Sequence, residues 1–407
     1  MKILWLCNIV LPNFSEEFGI RKYNNGGWIT GMLEQLKDRA EIAICCPIND
    51  SSRAKDGVCD GHKYYSFQMY ADEYHESVKI RFIEIIKDFV PDIIHIWGTE
   101  SPHTLAMVNA CEELGIIDKA IINIQGLVSV IEQHYYADVP DEYLKLKVDG
   151  YTTITEERNS FKHRGLYEIE ALKKIKHVIG RTDWDEACSK RINPNVCYHF
   201  CNEILRDVFY EHIGEWKYEN CRKYSIFLSQ ASYSIKGLHY LLKNMPEIIR
   251  DYPNTHIFIG GPNITKPNVN GKIRPYAQYI NHLILKNNLA EHITFLGNLD
   301  DTQMFEQYMQ ANVFLSLSAI ENESNSISEA ALLGCPIISS LVGGVISRTK
   351  LFECSYQHNA DYMIPFYIKK IFEQTNFSSH SNICSEIVNK STNSNRTFDI
   401  YKKLWEI

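Results

Sequence analysis

The sequence predicts an α/β protein made of two doubly wound, Rossmann-like domains that face each other across a cleft. Three observations carry that expectation. Short runs rich in Ile, Val and Leu alternate along the chain with longer runs of helical spacing. The strand-like runs are nearly continuous in apolar residues, as strands covered on both faces must be. The pattern also restarts near Tyr224, in a chain of 407 residues that is too long for one ordinary core.

Taken in order, residues 2–9, 41–47, 91–98, 120–125 and 177–181 read as strands of the first half. Residues 29–36, 75–89, 104–114 and 168–176 read as its helices. Residues 127–166, rich in Tyr, His and Asp, resemble a lid or acceptor-binding insertion more than core. In the second half, 224–230, 256–260, 292–296 and 311–318 are strands, and 238–250, 275–287 and 302–310 are helices. The expected division is a first domain over 1–205 and a second over 206–392, with a closing amphipathic helix, 393–407, packing back on the first.

Composition excludes several classes. Lys and Arg number 42 against 50 Asp and Glu, a net charge of −8, so no basic footprint supports nucleic acid as a partner. Residues 1–10, MKILWLCNIV, are interrupted by Asn8 and lack a small-residue cleavage site, which makes them a buried strand rather than a signal peptide. The longest apolar run, 330–346, is broken by Gly334, Pro336, Gly343 and Gly344 and is a poor membrane span. Twelve scattered cysteines without a C-x-x-C pair read as buried thiols in a reducing cytoplasm.

In a doubly wound sheet, ligands lie beyond the C-terminal strand ends. That rule singles out Gly26-Gly27, Gly98-Thr99-Glu100 and Gln125-Gly126 in the first half. The most informative stretch is 311–338, which reads strand, loop, helix, strand. Glu321 and Glu329, with seven residues between them, bracket its loop and first helical turn. Amides at a helix N-terminus suit phosphate, while carboxylates accept from sugar hydroxyls. Blander readings stand beside this one. Ser326-x-x-Glu329 is also a capping box, Glu321 an ordinary loop acid, Gly26-Gly27 a plain turn and His95 a core histidine. Lys173, Lys174 and Lys176 form either a solvated helix end or a weak contact for acidic lipid.

The ordered set Gly26-Gly27, Lys236-Gly237, Gly260-Gly261-Pro262, Gly297, Glu321, Glu329-Ala330, Gly334-Cys335-Pro336 and Val342-Gly343-Gly344-Val345 resembles the retaining glycosyltransferases of family 4, which have the GT-B fold. The match is dense in the second half and patchy in the first. The resemblance implies a nucleotide diphosphate sugar held by the second domain and a saccharide or lipid-linked saccharide acceptor held by the first. Glu321 would meet donor-sugar hydroxyls, and Glu329 the ribose hydroxyls. Lys236 would neutralise the diphosphate, the amides of Ser324, Asn325 and Ser326 would face its phosphates, and backbone near Leu299 would frame the base. Gly26, Gly27 and Gly261 belong to the same donor-binding set. Gln125 stands where the family commonly has a donor-closing His. The resemblance implies no metal or other cofactor, and a hexosyltransferase of surface polysaccharide or glycan assembly, cytoplasmic or at the inner membrane face.

Four departures weaken the match. Ala231 occupies the position five residues before Lys236 where the family places Arg, with Arg181 or Arg206 as candidate substitutes. Glu323 adds negative charge beside the presumed phosphates. Gln125 cannot titrate. The segment after Val345 is short, and 348–358 has no clear equivalent. Two alternatives therefore stay open: a catalytically inactive glycosyltransferase-like scaffold or accessory subunit, and a sugar-nucleotide epimerase, which would want titratable groups that Gln125 does not supply.

Overall fold

Ile93–Trp97, IIHIW, is buried at every position, and this double-sided burial is repeated through two sheets. The computed structural model describes residues 1–20, 26–352, 354–377 and 380–406. Two compact units result. One comprises Met1–Ile131, Ser160–Leu205 and Val388–Ile407, the other Glu132–Asn159 and Arg206–Ile387.

The first unit contains strands β1 (Lys2–Leu6), β2 (Glu41–Ile48), β3 (Gly57–Cys59), β4 (His62–Gln68), β5 (Ile93–Trp97), β6 (Ala120–Asn123), β7 (His177–Gly180) and β8 (Cys197–Phe200). They form one sheet in the order β3-β4-β2-β1-β5-β6-β7-β8, parallel throughout except for the antiparallel β3–β4 pair. Leu4, Ile94, Ile122 and Val178 from the strands pack with Phe82, Phe89, Leu105 and Leu172 from flanking helices. The terminal helix Lys390–Trp405 belongs to this unit, where Tyr401 hydrogen-bonds the buried His95. Burial lowers the pKa of His95 to about 3, so it is a neutral core residue.

The second unit contains β9 (Ser225–Leu228), β10 (His256–Ile259), β11 (Ile293–Phe295), β12 (Val313–Ser316), β13 (Ile337–Leu341) and β14 (Cys354–Gln357). Its order is β11-β10-β9-β12-β13-β14, with every pairing parallel. The chain winds outward from β9 in one direction and then from β12 in the other. Such a sheet has its topological switch point between those two neighbours.

Several local features differ from the sequence expectation. Strands β3, β4, β8 and β14 are additional. The β3–β4 hairpin turns at Asp60-Gly61, both at positive φ (50° and 78°), a dipeptide suited to a tight reversal. Residues 154–166 are helical, not irregular, as the first part of the 21-residue helix Ile154–Lys174. Its start is a capping box: Thr153 Oγ1 accepts from Glu156 N at 3.0 Å, and Thr153 N donates to Glu156 Oε2 at 2.8 Å. Residues 132–159 group with the second unit, where their backbone supports the loop after β9. Ser234 Oγ donates to Tyr135 O at 2.7 Å, and His239 Nε2 lies 2.6 Å from Ala137 O. Among the described residues no helix is long and apolar enough to cross a membrane.

One buried acid ties the first unit together. Glu168, fully buried, accepts from Val128 N and Ser129 N at 3.0 Å each, and from the Thr99 hydroxyl at 2.6 Å. These bonds cap the short helix Val128–Ile131 and fix the loop after β5. Glu168→Ala would take the shared carboxylate acceptor away from the Val128 and Ser129 amides, while the Thr99 hydroxyl keeps Gly126 O, so we expect a loss of about 2–4 kcal/mol in urea denaturation. An unchanged midpoint would show that the network carries no stability.

Candidate functional site

The loop after β9, 229–237, and the loop after β12, 317–324, leave adjacent strands and meet at the switch point. Ala319 N donates to Ile235 O at 2.8 Å, joining the loops through their backbones. Gly237 sits at φ 73°, and a Cβ there would lie 2.2 Å from Leu317 O. Gly343 sits at φ 47°, and its Cβ would lie 2.1 Å from Glu321 O. Neither position has room for a side chain, and both favour the left-handed conformation that glycine adopts cheaply. The close approach they permit places the side chains that follow.

Lys236 Nζ stands 2.7 Å from Glu321 Oε2, with both side chains about one-fifth exposed (20% and 17%). Ser318 Oγ donates to the same carboxylate oxygen at 2.9 Å. Burial pulls the Lys236 pKa down, but the Glu321 carboxylate more than offsets it, so the net shift is upward and the ammonium is charged. The site therefore holds a fixed positive charge beside an acceptor carboxylate at the mouth of the sheet.

Glu329 forms a second cluster one helix turn into Asn325–Leu333. Its Oε1 accepts from Arg206 Nη2 at 2.7 Å and Nε at 3.1 Å, and its Oε2 accepts from Tyr308 OH at 3.1 Å. Arg206 Nη1 also reaches Asp301 Oδ1 at 2.8 Å. Burial pushes the Glu329 pKa up, against the pull of Arg206. The capping-box reading of Ser326-x-x-Glu329 does not hold: the helix starts at Asn325 after Ser324, and the Glu329 carboxylate engages side chains. Ser326 Oγ instead accepts from Ser229 Oγ at 2.9 Å, linking this helix to the end of β9. Ser324 makes no side-chain capping bond.

Glu323, expected to burden the phosphate region, is paired. Arg348 Nε donates to its Oε1 at 2.6 Å, and both side chains are under one-tenth exposed. The segment without a clear equivalent thus supplies the counter-charge. Ala231 is buried. Of the two candidate substitutes for its missing cation, Arg206 is engaged with Glu329 and Asp301, and Arg181, in the first unit, pairs with Glu203 at 2.8 Å.

The remaining expected residues are distributed between the units. Gly261 donates its N–H to Gly297 O at 2.8 Å at the ends of β10 and β11, and Leu299 approaches Gly260 nearby. Gly26, Gly27 and Gln125 belong to the first unit. Gly26 precedes the helix Gly27–Leu36, while Asn24 and Asn25 of that loop lie outside the described residues. Gln125 Nε2 donates to Asn123 Oδ1 at 2.7 Å just beyond β6. Tyr308, Ser318, Ser229 and Asp301 were not expected. Only Ser318 carries a sequence signal, as a polar residue closing an apolar strand.

This architecture is GT-B: two parallel-sheet Rossmann-like units, shared along the whole length with solved glycosyltransferases. A sucrose-phosphate synthase from Thermosynechococcus elongatus matches 100% of both chains with a TM-score of 0.71 at 14% identity. Anabaena HepE in complex with UDP-glucose matches 99% of this chain and 100% of its own at 0.66 and 12%. A structure from E. coli described as trehalose-6-phosphate bound with UDP-2-fluoro glucose covers 100% and 99% at 0.63 and 11%. Within the second unit, residues 211–354 match the family model of glycosyl transferases group 1. An uncharacterised glycosyltransferase of Methanocaldococcus jannaschii is 25% identical over 210 residues, 46% of this chain, and the chain spans about half the length of that curated relative (50%).

The Arg348–Glu323 pair offers a direct check on the electrostatics. Arg348→Ala removes the counter-charge at a buried carboxylate, for which we expect a loss of about 3–5 kcal/mol in chemical denaturation. The double change Arg348→Met with Glu323→Gln should recover most of it. Equal losses in both variants would mean that packing, not charge pairing, holds this segment.

Proposed function

We propose that this chain is a hexosyltransferase of family 4 type, moving a sugar from a nucleotide diphosphate donor to a saccharide or lipid-linked saccharide acceptor with retention of configuration. The observation that carries the reading is the Lys236–Glu321 pair, set 2.7 Å apart at the switch point of a domain matched to glycosyl transferases group 1. In this reading the donor binds the second unit and the acceptor the first. Lys236 exchanges Glu321 for the diphosphate oxygens, where charge builds as the glycosidic bond breaks. Glu321, released, accepts from donor-sugar hydroxyls. The amides at Ser324, Asn325 and Ser326 face the phosphates across the helix N-terminus. Glu329 keeps lone pairs beyond its bonds to Arg206 and Tyr308, and these accept from ribose hydroxyls. Gly261 and Leu299 border the base, while Gly26, Gly27 and Gln125 are the contributions of the first unit.

The acceptor hydroxyl attacks from the face that the diphosphate leaves, and a departing phosphate oxygen takes its proton. No metal is called for, because an ammonium and backbone donors meet the leaving-group charge. UDP-glucose, named with the Anabaena neighbour, heads the donor panel. The reading places the enzyme in the cytoplasm, at the membrane face where acceptors are lipid-linked, as in polysaccharide assembly.

Ala231 and the engaged Glu329 favour one second reading, a relative that binds nucleotide without turnover. Nucleotide diphosphate release across a panel of sugar nucleotides and acceptors separates the two. For the transferase we expect turnover, reduced about 10²–10³-fold in Lys236→Ala and in Glu321→Gln. Calorimetric binding of nucleotide diphosphate without release from any donor would favour the second reading. Binding that survives both substitutions together would remove this site from either.

A further inference from the structure

Away from that site, the outer edge of the first sheet gathers three side chains with metal-ligand chemistry. Among the described residues β8 pairs with β7 alone, in a parallel register that sets His177 opposite Cys197 and Ile179 opposite His199. Side chains alternate along a strand, so Cys197 and His199 share a face with each other and with His177. Val178 and Tyr198, on the opposite face, belong to the core side of the sheet. His177 Nδ1 lies 3.1 Å from His199 Nε2, and a ligand atom from each of the three residues falls within 4.8 Å of the other two.

We propose that His177, Cys197 and His199 form a binding site for a zinc-class divalent cation. A tetrahedral zinc with bonds of about 2.0–2.3 Å sets its ligand atoms ~3.3–3.6 Å apart. The two imidazole nitrogens, which share a hydrogen bond at 3.1 Å that an ion would replace, stand at nearly that spacing, and the ligand atom of the exposed Cys197 lies within 4.8 Å of both. Two imidazoles and a thiolate select zinc over calcium or magnesium, which prefer oxygen ligands. Three protein ligands leave a fourth position for water. The thiolate charge offsets the nearby Lys403, while Asp118, which faces His177, is paired with Lys176. A bound ion would clip the otherwise singly paired β8 to β7.

Cys197 is the exposed one among the twelve cysteines, so its alkylation reports on the site directly. The chelator-treated chain is titrated with zinc chloride alone at neutral pH, and bound metal is counted while alkylation of Cys197 is followed by peptide mass. We expect one zinc per chain, slowing of Cys197 alkylation by about tenfold or more, and loss of the bound zinc in Cys197→Ser and His199→Ala. With cobalt as probe, a thiolate-to-metal absorption band should appear in the unmodified chain and be missing from Cys197→Ser. Zinc that leaves Cys197 alkylation unchanged, or that binds a His177→Ala, Cys197→Ser, His199→Ala triple variant equally well, overturns the proposal. The alkylation and cobalt measurements on the unmodified chain decide the question even if a variant folds poorly.

Discussion

Lys236 and Glu321 are 85 residues apart, and everything proposed for the second unit depends on their meeting. The sheet order brings them together: β9 and β12 are neighbours, so the loops that follow them leave the same edge. The glycines at 237 and 343 then let backbone approach where any side chain would collide. An ion pair only partly withdrawn from water is weak as a source of stability. That weakness suits a ligand site, because a pair that contributes little to folding can be opened at little cost by a diphosphate that satisfies the ammonium better.

The second cluster has a different character. Arg206, Glu329, Asp301 and Tyr308 interlock in a largely buried group, with Tyr308 seated edge-on against Phe209, Phe227 and Phe314. Aromatic packing fixes the tyrosine, the tyrosine and arginine fix the carboxylate, and the carboxylate fixes the first turns of a helix. In the function proposed above, rigid support of this kind would let the Glu329 carboxylate discriminate among hydroxyls by geometry.

Periodicity made most of both sheets legible, since strands buried on two faces are nearly continuous in apolar residues, as Ile93–Trp97 is apart from His95 and Val313–Ser316 apart from its closing Ser316. Two further signals are present in the residues and easily passed over: Asp60-Gly61, which defines a hairpin, and Thr153-x-x-Glu156, which starts the long helix. The pairings were not legible. Nothing local in Arg206 says that it meets Glu329 123 positions later, or in Arg348 that it neutralises Glu323. Glu321 stood out as a loop acid ahead of a helix, and Lys236 entered through resemblance to a family, but nothing local says that the two meet, because contacts between loops depend on strand order, and no single segment encodes that order.

Both units are discontinuous in the chain, and this bears on how the polypeptide matures. The residues 132–159 leave the ribosome well before Ser234 and His239, against which their carbonyls are spent. The first unit, although begun first, lacks its helix Lys390–Trp405 until the whole of the second unit has been made. Vectorial folding in two tidy steps is therefore closed to this chain. During translation, Tyr-rich and apolar surfaces wait uncovered for partners not yet made, and it is a segment made after the second unit that completes the first.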